Sequence, residues 1–269
     1  MICPSCNKLI SVAEERCPFC GAWRPGMFGF APQLQRLFGR GLDLPRVITI
    51  VCVALYVLSL ALQPEAIFQS FGFFSILSPG TRALYQLGMT GGVAWGSHWW
   101  WTVLTAIYLH GGLLHIFFNL MWVRDLGPQV VHVYGTARAF VIFSVAGAVG
   151  FLVSNVATGN PSIGASGSIF GLLAALIVFG RRRGVSTMTA QLYQWAIILF
   201  VMGFFMPSVN NWAHGGGFAG GWVAAESMRF GDERRESPAV KIVALVLLVA
   251  TVAGFALSFV QVTGILLRH

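Results

Sequence analysis

Charge is what this chain has least of. Asp, Glu, Lys and Arg make up 10% of its 269 residues, against 56% hydrophobic residues and a mean hydropathy of +0.74. A soluble domain of this size cannot hide so much apolar surface, so lipid is expected to be the solvent for most of the chain. No cleavable signal peptide is visible, because the N-terminus opens on cysteines and charges and the first long apolar run begins near Val47. No inverted repeat and no matching pair of broken apolar segments is apparent, which disfavours a transporter. Carboxylates are scarce as well: there are nine in all.

What the chain does have is long apolar runs. A window of about 19 residues gives seven, near 46–63, 110–127, 137–157, 166–180, 190–207, 213–229 and 239–266. Between the first two lies a stretch, 64–109, that contains Trp95, Trp99, Trp100 and Trp101. It is too apolar to float in water and is expected to lie partly in the membrane interface against the bundle. The net charge of +8 follows the same topology. If the N-terminal side is called inside, the inside segments carry fifteen Lys and Arg, including the Arg181–Arg183 triplet, and the outside segments only Arg82 and Arg268. That asymmetry predicts a cytoplasmic N-terminus and removes the reason to invoke nucleic acid.

Four of the five cysteines fall in the first 20 residues, as Cys3-Pro-Ser-Cys6 and Cys17-Pro-Phe-Cys20. Two such pairs can supply four thiolates to one tetrahedral ion, although the ten residues between them are fewer than usual. A redox-active pair is the other reading. On the cytosolic side the thiols stay reduced, so disulfides are not expected. The segment resembles the small zinc-ribbon family, CPxC…CPxCG, with Gly21 directly after the second pair. The resemblance implies a structural Zn2+ held by Cys3, Cys6, Cys17 and Cys20. Such a module could bind a cytosolic partner or merely cap the N-terminus. Cys52 lies within an apolar run and reads as filler.

Three polar constellations fall at one face of the predicted bundle. Gly164-Ala165-Ser166-Gly167 opens the fourth span. The fourteen residues from Ser166 to Phe179 cover about 21 Å of a hydrocarbon core about 30 Å thick, so this helix is expected to start well below the outer surface. Ala213-His214-Gly215-Gly216-Gly217 opens the sixth span and runs in the same direction. Gly217 and Gly221 form a small-xxx-small face, as do Gly167 and Gly171 on the fourth span, and pairing them could bring His214 beside Ser166. His115 and Asn119 share one face of the second span, and His110 sits off that face. Intramembrane His and Asn are costly and functional by default.

A Ser and a His within reach of each other make a nucleophile and its base. A neutral His, an Asn and the N–H of Ser166 can donate to an oxyanion. Glu65 is the one acid on the outer half, so a dyad is expected, with Phe170, one turn after Ser166, as the ring against which His214 stacks. The histidines 110, 115 and 214 could bind a metal, but no HExxH or comparable carboxylate exists to activate metal-bound water.

These residues resemble, in order and spacing, the rhomboid signatures HxxxxHxxxN (His110 to Asn119), GxSG (Gly164 to Gly167) and AHxGGxxxG (Ala213 to Gly221). The resemblance covers about 46–230, and the last span matches the six-plus-one form of the family. It implies an all-α membrane protein: a bundle of seven transmembrane helices with a small N-terminal zinc ribbon. It also implies a serine endopeptidase with Ser166 and His214 as the dyad and His115 and Asn119 as oxyanion donors, supported by His110, Gly164 and Phe170. Single-span membrane proteins are the implied substrates, and no cofactor is implied for catalysis. Two positions depart from the family: Trp101 is followed by Thr102 where Arg is common, and Phe170 stands where Tyr is frequent. The expected organisation is a ribbon at 1–24, a linker at 25–45, a catalytic core at 46–230, a loop at 231–238 and the added helix at 239–269, in a bacterial inner membrane. The competing function is a non-proteolytic membrane chaperone or adaptor that binds transmembrane helices.

Overall fold

The computed structural model describes residues 3, 6, 8–11, 14, 16–21, 43–68, 76–206, 209–228 and 236–266. The expected linker therefore lies outside the described residues as far as 42, and the expected loop at 231–238 as far as 235. Among the described residues there is no strand; an isolated antiparallel bridge joins Thr90 and Ser162, and Leu9 and Arg16 in the N-terminal segment are bridge residues too.

Among the described residues the first long helix, α1, is Leu44–Leu62. Asp43 caps it by accepting from the Arg46 N–H at 3.0 Å, and Pro45 occupies its first turn, where a missing N–H costs nothing. The Trp-rich stretch folds into short helices, α2 (Thr81–Gln86), α3 (Gly92–Gly96) and α4 (Thr102–Thr105). Six long helices follow: α5 (Leu113–Tyr134), α6 (Thr136–Ala157), α7 (Ser166–Arg183), α8 (Ser186–Met202), α9 (Asn211–Ser227) and α10 (Pro238–Leu266). Together with α1 they stand where the seven apolar runs predicted them.

Two of those runs differ at their ends. α5 begins at Leu113 rather than 110 and continues to Tyr134 rather than 127. Arg124, Asp125 and Pro128 dilute the hydropathy there, yet Leu126, Val130, Val133 and Tyr134 still bury one face. α8 spans Ser186–Met202 rather than 190–207, because Ser186, Thr187 and Thr189 make its first turn polar and Gly203 ends it.

Among the described residues three helices are long and apolar enough to cross a membrane alone: α1, α6 and α10, at mean hydropathies of 2.1, 2.1 and 2.6. A fourth crossing arises when α5 is joined to Thr102–Tyr108 across a 93° bend. α7 misses the same criterion through its arginines, and its environment explains why it needs no apolar exterior. Every residue from Gly167 to Val178 is buried, sheathed by α5, α6, α8 and α9. The protein, not lipid, is its solvent. α10 is the opposite case, with only 17% of its apolar window buried and Val246, Val249 and Val252 turned outward. Such outward apolar faces suit contact with lipid chains, so the chain is an integral membrane protein.

α7 and α9 cross with almost nothing between them. A Cβ on Gly217 would lie 2.6 Å from the Gly167 carbonyl carbon, and one on Gly171 would lie 3.4 Å from the Gly221 Cα. The pairing of small-xxx-small faces expected from the sequence is the observed packing. α10 is fastened at both ends. The Trp101 indole N–H donates to Ser258 Oγ at 2.9 Å, and Glu236, just before α10, accepts from the Arg138 N–H at 3.0 Å in the first turn of α6.

Two stability measurements test this packing. Gly217→Ala should lower stability by about 1–3 kcal/mol, because its methyl would meet backbone that cannot rotate away. Gly215→Ala in the same motif should be tolerated, since its nearest neighbour is Phe200 at 3.8 Å. Equal thermal shifts for the two in detergent would contradict the crossing described. Ser258→Ala leaves the Trp101 N–H without its acceptor and should cost about 1–2 kcal/mol, read by the same unfolding assay.

Candidate active site

The segment leading to Ser166 is held by backbone on both sides. Ser162 and Thr90 exchange N–H···O bonds of 2.8 and 3.3 Å, and the Gly164 N–H donates to the Ala106 carbonyl at 2.9 Å. Gly164 has φ +122°, which an L side chain rarely adopts, and a Cβ there would lie 2.7 Å from His115 Nε2. Glycine is required on both counts. Ser166 is the first residue of α7 and is half-buried. No side chain caps this helix start, so its first-turn N–H groups stay available to an anion or a water.

His115 lies in the first turn of α5. Its Nδ1 accepts from the Gly111 N–H at 3.2 Å. An imidazole nitrogen that accepts carries no proton, so Nε2 holds the hydrogen and points it toward Gly164, two residues from Ser166. Asn119, one turn on, donates from Nδ2 to the His115 carbonyl at 2.7 Å, and its buried Oδ1 has no partner among the described residues. His110 falls in the bend before α5, not on the helix. It is 1% exposed, meets His115 edge-on at 5.2 Å between ring centroids, and neither of its nitrogens has a partner among the described residues.

His214 lies in the first turn of α9, buried, with its ring stacked on Phe170 at 4.4 Å between centroids and 21° between planes. Phe170 is one turn after Ser166 on α7. Among the described residues His214 Nδ1 has no hydrogen-bond partner, so no carboxylate steers the ring from that nitrogen, and the Phe170 stack sets its plane.

A second tier of polar contacts surrounds these groups. Asn210 caps α9, its Oδ1 accepting from the Ala213 N–H at 3.0 Å. Its Nδ2 donates to Ser162 Oγ at 2.8 Å and to Ser154 Oγ on α6. Thr102 Oγ1 donates to the Trp99 carbonyl, and Asn155 Nδ2 on α6 donates to Thr90 Oγ1, which lies 3.0 Å from Thr102 Oγ1. The sequence reading missed Asn210, Ser154 and Ser162. An Asn just before a helix start was the available signal for the first; nothing local marks the two serines.

The N-terminal cysteines gather as the spacing predicts. The sulfurs of Cys3, Cys6, Cys17 and Cys20 all lie within 4.8 Å of one another, as free thiols in a group that could hold a metal ion. Gly21, at φ +69°, turns the chain so that its N–H reaches the Cys17 carbonyl at 2.9 Å. Burial raises the Cys17 thiol, but the Phe19 and Cys20 backbone amides outweigh it and bring Cys17 down to about 7. The backbone at Lys8 lowers Cys6, yet burial and the neighbouring sulfurs push it up to about 12. Four sulfurs this close are a donor set that could hold one tetrahedral ion.

Comparison with known proteins agrees with this architecture. A family model described as "Rhomboid domain" matches residues 97–229. The chain is 35% identical over 159 residues to the rhomboid protease GluP of Bacillus subtilis, covering 58% of this chain and 31% of that protein. It is 29% identical over 181 residues to Inactive RHOMBOID-like protein 8 of Arabidopsis thaliana, covering 64% and 50%. With YdcA of Bacillus subtilis, named as a candidate rhomboid protease, it shares 30% identity over 147 residues, 52% of this chain and 69% of that protein. The chain thus spans about a third of GluP and half of the Arabidopsis relative, but more than two thirds of YdcA. With this similarity joined to the helix order and the three signatures, the chain belongs to the rhomboid family.

Proposed function

We propose that this protein is an intramembrane serine endopeptidase in which Ser166 is the nucleophile and His214 its base. The observation that carries the reading is the stack of His214 on Phe170, one turn along α7 from Ser166, at a crossing where glycines bring the two helices together. His214 takes the Ser166 proton, the alkoxide attacks the scissile carbonyl, and His214 returns the proton to the leaving amine. Water, activated by the same imidazole, then resolves the acyl-enzyme. The oxyanion is held by the Ser166 N–H, the Nε2–H of His115 and the amide of Asn119. The pull of Gly111 on His115 Nδ1 supports this assignment, because it keeps the donor on the Gly164 side.

The substrates are single-span membrane proteins, reached from lipid. Their entry fits the C-terminal end of α8, where Ile197, Val201 and Met202 are exposed and no position after Ala196 is buried. From the Lys and Arg asymmetry we assign the ribbon to the cytoplasmic face of a bacterial inner membrane. The ion in the ribbon is Zn2+, far from the chemistry and structural. A second reading, a non-proteolytic binder of transmembrane helices, is favoured by one observation: a relative of 29% identity carries the name inactive.

Ser166→Ala decides between the two. A protease loses cleavage of a single-span reporter in liposomes by at least about 10³-fold, and loses fluorophosphonate labelling, on Ser166→Ala, and the first effect recurs on His214→Ala. A binder keeps its function in both. His115→Ala should cost about 10²-fold in kcat, the order for one oxyanion donor. For the ribbon, metal binding must expel protons from thiols held as high as Cys6, at about 12. Zn2+ affinity should therefore rise with pH, and fall more steeply below about 7, where Cys17 also takes a proton. Competition with a chromophoric chelator across pH 6–8, on the full chain, measures it; a flat profile would exclude thiolate ligation.

A further inference from the structure

Asn210 engages more of the site than a helix cap requires. Its backbone carbonyl accepts the N–H of His214 at 3.1 Å, and its Oδ1 accepts that of Ala213 at 3.0 Å. Those two bonds suffice to start α9. The side-chain NH2 then makes two further bonds outside its own helix, to Ser162 Oγ at 2.8 Å and to Ser154 Oγ. An amide has two donors and one carbonyl oxygen, so every polar atom of this side chain is committed. Ser162 stands four residues before Ser166 on the segment that feeds α7, and Ser154 is fully buried in the last turns of α6.

We infer that Asn210 is a positioning residue for the dyad. It sets the distance between the start of the His214 helix and the segment that delivers Ser166, with α6 as the fixed reference. This rests on the reading of Ser166 and His214 as nucleophile and base. The physical need is plain in the surroundings. Among the described residues His214 Nδ1 has no partner, and its stack on Phe170 fixes the plane of the ring but not its height along the α9 axis. The glycine crossing sets backbone on backbone at this end of α7 and α9, and the Arg182–Glu226 pair that opposes a slide acts at their far end. Two bonds from Asn210 to elements other than α9 resist it at this end. In a water-poor interior they hold firmly, because the alternative is unpaired donors.

The test is the rate constant of fluorophosphonate labelling per labelled site, with kcat and KM for a single-span reporter in liposomes. Asn210→Ala should slow labelling per site and lower kcat by about 10–100-fold, with KM little changed. The double variant Ser154→Ala/Ser162→Ala keeps the cap on α9 but removes both outside acceptors, and it should slow labelling in the same direction. A residue that only stabilises the helix gives a different pattern: fewer labelled molecules, each reacting at the wild-type rate constant. That pattern in Asn210→Ala, or a wild-type rate constant in the double variant, would overturn the inference alone. Wild-type cleavage by Ser166→Ala would overturn the dyad and the inference with it.

Discussion

The structure depends on the approach of two backbones. α7 and α9 each bring a polar residue to the same end of a bundle whose outer surface faces lipid. Polar groups there must be walled by protein, and a bulky side chain at the crossing would hold the helices apart. Gly167, Gly171, Gly217 and Gly221 remove that obstacle, and their backbones meet where side chains would otherwise stand. Without a hydrophobic drive between helices in lipid, such contact is a main source of association. Shape, rather than a charged partner, brings His214 over Phe170.

That arrangement explains why α7 is sheathed on all sides while its neighbours need not be. The uncapped start of α7 leaves first-turn N–H groups without a side-chain partner, and lipid could not supply one. Surrounding it with α5, α6, α8 and α9 keeps lipid away from those groups. The same sheath lets α7 finish in three arginines without disqualifying it as a buried helix. Arg182 pairs with Glu226 at the far end of α9, so the pair of helices is joined by charge at one end and by glycine packing along the rest.

Much of this was legible from residues because periodicity and motif spacing are local. The glycine faces, the seven runs and the Ser, His and Asn positions each follow from short-range pattern. The ends of α5 and α8 were not legible, since a hydropathy window averages away Arg124, Asp125 and the polar first turn of α8, whereas burial by distant helices decides where a helix can continue. The bend that puts His110 off α5 was hidden for a similar reason: Gly111 and Gly112 read as part of an apolar run until the 93° turn separates them from it. Asn210 was missed because its partners, Ser154 and Ser162, are 56 and 48 residues away in sequence.

The two departures from the family's usual pattern can be understood in the same terms. Where an Arg commonly follows Trp101, Thr102 is 1% exposed and its hydroxyl donates to the Trp99 carbonyl beside the Thr90 hydroxyl that Asn155 bonds. The Trp-rich stretch is therefore tied to α6 by short neutral groups and to α10 by Trp101 and Ser258. A neutral link suits a buried position, because a guanidinium would need a carboxylate and Glu65 is the one acid between Leu44 and Arg124. At Phe170 the missing hydroxyl changes little for a ring whose task is to present a flat face. What it removes is a polar atom near His214, and that leaves the orientation of the imidazole to stacking and to the placement of α9. A site stripped of both carboxylate and phenol must hold its helices in register by other means. Buried amide and hydroxyl groups around the start of α9 are the means this chain has.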